Sequence, residues 1–335
     1  VGAFLKAAPP RRRFGGLREV FMLPTLAAVE EARRRIVGAA IRTPLVRLNY
    51  RDAPAEIYLK LENLQPIGSF KIRGAANAMG RLSREQLAGG VLTASAGNMA
   101  QGVAWRARDL GIPCTVVAPE TAPETKIRAI ERLGGRVIKV PFGEWWDCFE
   151  RRAYEGVEAH FVHAFDDPDV MAGNGTIALE ILEDLPDVDA IVIPWGGGGL
   201  ACGIAATVRE LRPLCKLYAA EVETAAPLAA SLAAGAPRQV VYEPSFVDGI
   251  GGRGVFPAMF ERARALLDGS LVVGLAQVAA ALRLLAERNR VIAEGAGACP
   301  VACALEGSAG GGKVVCVVSG GNIDPAKLCA IITEG

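Results

Sequence analysis

Three times along this chain an apolar run ends in a glycine-rich turn and opens into small residues at helical spacing. Leu92-Thr93-Ala94 leads into Ser95-Ala96-Gly97-Asn98. Ala190-Ile191-Val192-Ile193-Pro194 leads into Trp195 and Gly196–Gly199. Val314-Val315-Cys316-Val317-Val318 leads into Ser319-Gly320-Gly321. A short apolar run bounded by glycine reads as a buried strand, and strand–turn–helix repeated along a chain builds βαβ units. Further strands are expected at 57–61, 114–118, 136–140, 161–163 and 216–220, with helices at 100–110, 124–133, 145–155, 177–182 and 203–211. The fold class that follows is α/β with mainly parallel sheets. With 335 residues there is room for two such domains. Open sheets of this kind bind ligands at the carboxyl ends of their strands, where all three turns fall.

Composition removes several function classes. A net charge of +1 gives no electrostatic drive toward nucleic acid, and Arg11-Arg12-Arg13 is too short for more than a solvated arm. Residues 190–208 are long and uncharged enough to raise the question of a membrane span. Pro194 and the four successive glycines fit a buried strand–loop–helix better. Residues 1–21 lack the continuous apolar core of a secretory signal and read as an N-terminal extension. Met22, with Thr25 as N-cap, looks like a natural helix start. The 8 cysteines form no Cys-x-x-Cys pair and read as small buried hydrophobes, which suits a reducing cytoplasm. The 2 histidines are too few for a typical zinc site.

One charged residue stands out. Lys71 follows a Pro66-Ile67-Gly68 turn and Ser69-Phe70, and precedes Gly74-Ala75-Ala76, so it falls at a helix N-terminus. A cation there opposes the helix dipole and needs compensation. A lysine in a partly buried site is easily lowered in pKa, which suits Schiff-base chemistry. Alone, such a lysine is more often a solvated surface residue.

Four ordered motifs together carry more. Ser69-Phe70-Lys71-Ile72-Arg73-Gly74-Ala75, Ser95-Ala96-Gly97-Asn98-Met99, Gly196–Gly199-Leu200 and Ser319-Gly320-Gly321-Asn322 follow one another at matching spacing. With them the chain resembles the fold-type II pyridoxal-phosphate enzymes, in the threonine/serine dehydratase and serine racemase branch, from about Ala39 to Asp324. The lysine motif and the uninterrupted glycine run separate this branch from the cysteine synthases. The resemblance implies a tryptophan synthase β-like fold of two doubly wound domains with the cofactor between them. Residues 22–82 and 159–335 would form the larger, cofactor-binding domain, and 83–158 the smaller, substrate-side one. The C-terminal regulatory domain of biosynthetic threonine deaminases is not expected.

The resemblance also implies roles. Lys71 would hold pyridoxal 5'-phosphate and take the Cα proton of the substrate, with Phe70 beside the ring. Gly196, Gly197, Gly198 and Gly199 would cradle the phosphate; glycines let backbone N–H groups converge at the positive end of the following helix. Ser319 would face the pyridine nitrogen, where a neutral hydroxyl makes a weaker electron sink than an aspartate and favours β-elimination over transamination. Asn98 would meet the phenolic oxygen, and Gly249 would leave room against the ring. The Ser95, Ala96, Gly97, Asn98 and Met99 loop would bind the substrate carboxylate. Racemases carry a second serine where this chain has Ala96, which cannot exchange a proton. Met99 stands where histidine is common, and with Trp145, Trp146 and Trp195 it points to a more apolar pocket. Core packing is the favoured reading of the adjacent pair Trp145-Trp146, of which at most one can reach a pocket. Relatives often hold a divalent cation, for which Glu221 matches the first ligand; Pro227 falls at the later acidic position, with Glu223 as a substitute. Glu294 lies in a segment that approaches the cofactor.

The expected activity is β-elimination from a 3-hydroxy L-amino acid, threonine or serine or a bulkier aryl analogue such as phenylserine, giving a 2-oxo acid and ammonia. The partner is a small amino-acid substrate, with no nucleic acid and no membrane, and the expected assembly is a homodimer. The rival readings are an amino-acid racemase with side dehydratase activity and a non-catalytic ligand-binding relative.

Overall fold

The structure, a computed structural model, describes residues 22–333. Residues 1–21, expected as an extension, lie outside the described residues. Helix α1 (Leu26–Arg35) opens them, and its N-cap is the expected Thr25, whose Oγ1 accepts from the Ala28 N–H at 3.1 Å.

Two sheets organise the chain. The larger has six strands: β1 (Leu45–Arg47), β2 (Glu56–Leu61), β7 (Ala190–Pro194), β8 (Lys216–Val222), β9 (Gly269–Val273) and β10 (Lys313–Val318), in the order β1-β2-β10-β7-β8-β9. Only β1 runs antiparallel to its neighbour. The smaller sheet joins β3 (Val91–Ala94), β4 (Cys114–Pro119), β5 (Arg136–Val140) and β6 (His160–Phe161) in the order β5-β4-β3-β6, all parallel. The mainly parallel α/β class is as expected. One boundary moves. His160 and Phe161 pair with Val91 and Leu92, so the smaller sheet reaches past residue 158, where the small domain was expected to end.

The helices that place the site are α2 (Lys71–Gly80), α3 (Arg84–Leu87), α4 (Asn98–Leu110), α5 (Glu124–Arg132), α6 (Phe142–Arg151), α7 (Pro168–Asp184) and α8 (Gly199–Leu211). After them come α9 (Pro227–Ala234), α10 (Pro257–Leu266), α11 (Leu275–Leu284), α12 (Gly295–Leu305) and α13 (Pro325–Thr333). Helix α7 is longer than the expected 177–182. Asp167 caps it by accepting from the Asp169 and Val170 N–H groups, with Pro168 in the first turn. It is buried on every side from Val170 to Ile181, so no amphipathic period marks its first half.

Small residues bring α2, α7 and α8 into close contact. A Cβ on Gly173 would lie 2.3 Å from the Arg73 carbonyl oxygen, and one on Gly203 would lie 2.3 Å from that of Met171. Beneath α2 lies a buried ionic network. Arg73 donates to Glu62 at 2.8 Å and to Glu180 at 2.6 Å, while Lys60 on β2 donates to Glu180 and to the Thr43 carbonyl. Lys60 and Glu62 are fully buried and Arg73 nearly so. Burial lowers the Lys60 pKa, with Glu180 opposing. Burial alone would raise Glu62, but the Arg73 charge and hydrogen bonds, with Thr43 and Lys60, together outweigh it and hold the carboxyl low. The network pins the helix that starts at Lys71 to the carboxyl end of β2 in the larger sheet.

Candidate active site

The lysine segment is sewn to the end of β10. Gly68 takes the left-handed φ of +72° that the turn requires. Ser69 then bridges Gly320, and the Phe70 N–H donates to the Ser319 carbonyl at 2.9 Å. Lys71 is the first residue of α2; its Nζ donates to the Ala164 carbonyl at 2.8 Å and lies 5.1 Å from the Phe70 ring centroid. Burial pushes its pKa down to about 8, against the charge of Glu294.

The glycine run follows β7 and ends at the first residue of α8, whose leading N–H groups have no intrahelical acceptor. Gly198 has φ +89°. Phe165 fills the space beside the loop: a Cβ on Gly197 would stand 2.0 Å from its Cδ1, and one on Gly199 2.7 Å from its carbonyl oxygen. Gly249 lies across from Gly196, and a Cβ there would meet the Ala296 Cβ at 2.9 Å.

At the ends of β3 and β10 a polar chain closes the site. Asn98 Nδ2 donates to Glu294 Oε1 at 2.9 Å, and Asn98 Oδ1 accepts from Asn322 Nδ2 at 2.8 Å. Asn322 Nδ2 also donates to the Ile67 carbonyl at 2.8 Å. Both ends of the Asn98 carboxamide are therefore fixed. Burial, with the nearby Asp248 carboxylate, pushes Glu294 up to about 7; Lys126 and the Asn98 bond oppose. Asn322 was in a recognised motif without an expected role. Its signal was that of a polar residue directly after a strand-ending glycine pair.

Phe70, Lys71, Asn98, Gly196–Gly199, Gly249 and Ser319 all line one cavity of about 1150 Å³, together with the Ser95–Met99 loop. The set suits a phosphorylated ring bearing an aldehyde. It has an anion cradle at a helix N-terminus, an amine close to its uncharged form and a neutral hydroxyl at a strand end. The family model described as "Pyridoxal-phosphate dependent enzyme" matches residues 36–320.

This chain belongs to the pyridoxal-phosphate dependent enzymes. It is 42% identical over 316 residues to an L-threonine ammonia-lyase of Thermotoga maritima, a match covering 93% of this chain and 79% of that protein. Among solved structures, maize serine racemase superposes with a TM-score of 0.84 at 31% identity, covering 93% of this chain and 97% of that one. The processed form of threonine deaminase isoform 2 from Solanum lycopersicum gives a TM-score of 0.81 at 33% identity, covering 93% and 95%. The expected fold-type II membership thus holds.

In this pyridoxal-phosphate enzyme two expectations about single side chains, those for Met99 and Trp195, need adjustment. Met99 touches the cavity margin but is only 2% exposed; its side chain packs in the smaller sheet's core with residues such as Ala75, Val103 and Val170. Trp195 is fully buried behind the loop against Gly198 and is no pocket wall. Of the adjacent pair, Trp145 lines the cavity, while Trp146 stacks 5.7 Å from Phe256. Glu221 caps a helix. Its carboxylate accepts from the Leu228 and Ala229 N–H groups of α9 at 2.8 and 2.7 Å and from Ser270 Oγ at 2.6 Å. Glu223 likewise accepts from the Leu275 N–H at 2.8 Å. Among the described residues no cluster of three or more His, Cys, Asp or Glu is arranged to hold a metal, and no helix is long and apolar enough to cross a membrane.

Proposed function

We propose that this enzyme removes water and ammonia from a 3-hydroxy L-amino acid, with L-threonine as the main substrate, to leave a 2-oxo acid. The observation that carries the reading is Lys71 in the same cavity as the glycine cradle, with its pKa lowered to about 8 by burial. The L-threonine ammonia-lyase of Thermotoga maritima, at 42% identity, supports the substrate.

Bound pyridoxal phosphate supplies the covalent link to the substrate amine and the electron sink that makes the Cα proton removable. Gly196–Gly199 and the α8 N-terminus would hold the phosphate, and Ser319 would offer the ring nitrogen a neutral hydroxyl. Asn98, locked by Glu294 and Asn322, would hold the ring orientation. The first N–H groups of α4 and the Ser95–Gly97 turn receive the substrate carboxylate. Lys71, its amine uncharged once the substrate is in place, accepts the Cα proton at Nζ. The Cβ–O bond would break as the electron pair enters the Cα–Cβ bond, and the hydroxyl would leave as water with the proton that Lys71 Nζ accepted from Cα. The released enamine hydrolyses to the 2-oxo acid and ammonia. Ala96 has no proton to return from the opposite face, which favours elimination over racemisation.

A wider substrate range rests on a different observation. The outer cavity carries Phe142, Trp145, Tyr242 and Phe246, enough aromatic surface to hold a β-substituent larger than methyl. The experiment for both readings is kcat/KM for threonine, serine and 3-phenylserine, following 2-oxo acid and ammonia. Threonine turnover is expected, with phenylserine accepted and weakened in Trp145→Ala. Absence of turnover on all three overturns the lyase reading; an inert phenylserine confines it to small substrates.

A further inference from the structure

We propose that His163 is a positioning residue: by capping the turn 163–166 it fixes both the carbonyl that receives Lys71 and the aromatic wall of the glycine loop. His163 lies two residues past the end of the smaller sheet's last strand and is 4% exposed. Its Nδ1 accepts two backbone N–H groups, from Phe165 at 3.2 Å and Asp166 at 2.8 Å. Two donors on one nitrogen require that nitrogen to be unprotonated, so the ring is neutral with its proton on Nε2. Burial, together with the charge of Arg152, lowers its pKa to about 4; Asp166 opposes and Lys71 adds to the lowering. The imidazole is wedged between the Phe149 ring, 4.6 Å away, and the Phe165 ring, 4.8 Å away and edge-on.

The capped turn contributes to the site twice. Its Ala164 carbonyl accepts from Lys71 Nζ at 2.8 Å. Its Phe165 occupies the space against Gly197 and Gly199. The lysine belongs to α2 and the glycine run to the β7–α8 connection, and this turn touches both. Asp166 anchors its far end through Arg262 at 2.5 Å and Arg152 at 3.3 Å. Removing the cap leaves two backbone donors without their acceptor beside the cofactor site, and the turn relaxes where Lys71 and the loop need it fixed. The inference rests on the cofactor site and not on the choice of substrate, so its test is read without turnover.

The test compares His163→Asn and His163→Leu as holoenzymes. An asparagine Oδ1 accepts from N–H groups two and three residues ahead, as in an Asx-turn, and so replaces Nδ1; leucine cannot. Two readouts are taken, amide hydrogen exchange at Phe165 and Asp166 and the rate of pyridoxal phosphate loss on dialysis. In His163→Leu both are expected to rise by about tenfold or more, the factor that corresponds to 1.4 kcal/mol. In His163→Asn both stay within about threefold, well under that tenfold mark. Should the leucine variant not fold, His163→Gln takes its place, its acceptor one carbon too far out to cap the turn, with the same rises expected. The proposal is overturned if cofactor loss is unchanged when the two amides are deprotected. It is equally overturned if neither readout moves, or if asparagine is as impaired as leucine or glutamine.

Discussion

Gly197→Ala is expected to weaken cofactor binding, whereas Gly196→Ala leaves it close to wild type. A Cβ on Gly197 would stand 2.0, 2.3 and 2.4 Å from Cδ1, Cγ and Cε1 of Phe165. Carbon atoms in ordinary contact sit about 3.5–4.0 Å apart, so loop or ring must move by about 1.5 Å. The ring has little freedom, with His163 at 4.8 Å, Phe256 at 5.3 Å and Phe149 at 5.5 Å. Overpacking of this kind costs about 1–3 kcal/mol. Without cofactor the loop can shift and escape the strain; with the phosphate bound it is held in place. The cost therefore falls on binding and corresponds to a pyridoxal phosphate Kd raised by about 5- to 150-fold. A Cβ on Gly196 would meet nothing closer than the Gly249 carbonyl oxygen at 3.5 Å, an ordinary contact. The assay is titration of cofactor back into dialysed protein, followed by visible absorbance. The reasoning is refuted if Gly197→Ala binds within about twofold of wild type, below the smallest overpacking cost, or if both variants lose affinity alike.

Four further outcomes follow from the site and its support. Burial lowers the Lys71 pKa to about 8, and only the uncharged amine attacks an aldehyde, so cofactor capture should quicken as pH rises toward 8 and level off above it. Glu294→Gln removes the carboxylate that holds this pKa up and should move the midpoint lower; a midpoint that rises or stays would contradict the assigned electrostatics. Arg73→Met strips the buried Glu62 and Glu180 of their main partner and should destabilise the holoenzyme by about 3–5 kcal/mol in urea unfolding; a loss under about 1 kcal/mol would put the network at surface-pair value. Ala96→Ser adds a proton donor on the second face and should raise serine racemisation by about 10²-fold, the low end for general acid catalysis; chiral chromatography showing no D-serine would place the missing acid elsewhere.

Much of the scaffold was legible because strands buried on both faces are written as unbroken apolar runs. Residues 190–194, all buried, were bounded from sequence as they stand in the structure, and 314–318 to within one residue; 136–140, an edge strand of the smaller sheet with Arg136 and Lys139 exposed, was legible from Val137, Ile138 and Val140 without such a run. The strands that escaped lie at the edges. β1 has three residues, with Arg47 exposed, and β9 opens on Gly269 and Ser270 with only Val273 fully buried. Edge strands are half solvated and lack the apolar run that marks a central one. The glycines of the cradle were legible for a similar reason, since the space a side chain would need at Gly197 and Gly199 is already filled. Asn322 and His163 were not, because their work depends on a partner 224 residues away in Asn98 and on a turn only four residues long.

Met99 and Trp145 show where residue identity stops being informative about specificity. Both are large apolar residues near the cavity, and from sequence both argue for a bulky pocket. Met99 is the second residue of α4, and its side chain turns into the core among Ala75, Val103 and Val170. Trp145 sits on the first turn of α6 and remains partly exposed in the cavity wall. A helix presents only part of its surface to a site, and the direction of a side chain at its N-terminus depends on which way the helix leaves the sheet. The case for a larger β-substituent therefore rests on Trp145 and Phe142 of α6, with Tyr242 and Phe246 lining the same cavity, and not on the replacement at Met99. That shift gives a sharp discriminator. Trp145→Ala should lower kcat/KM for 3-phenylserine by about 2- to 10-fold, the size of one aromatic contact of about 0.5–1.5 kcal/mol, while leaving threonine within about twofold. Met99→His, a change in the core, should lower stability and leave the ratio of the two substrates unchanged. If instead Met99→His alone shifts that ratio, the α4 terminus and not α6 sets the pocket.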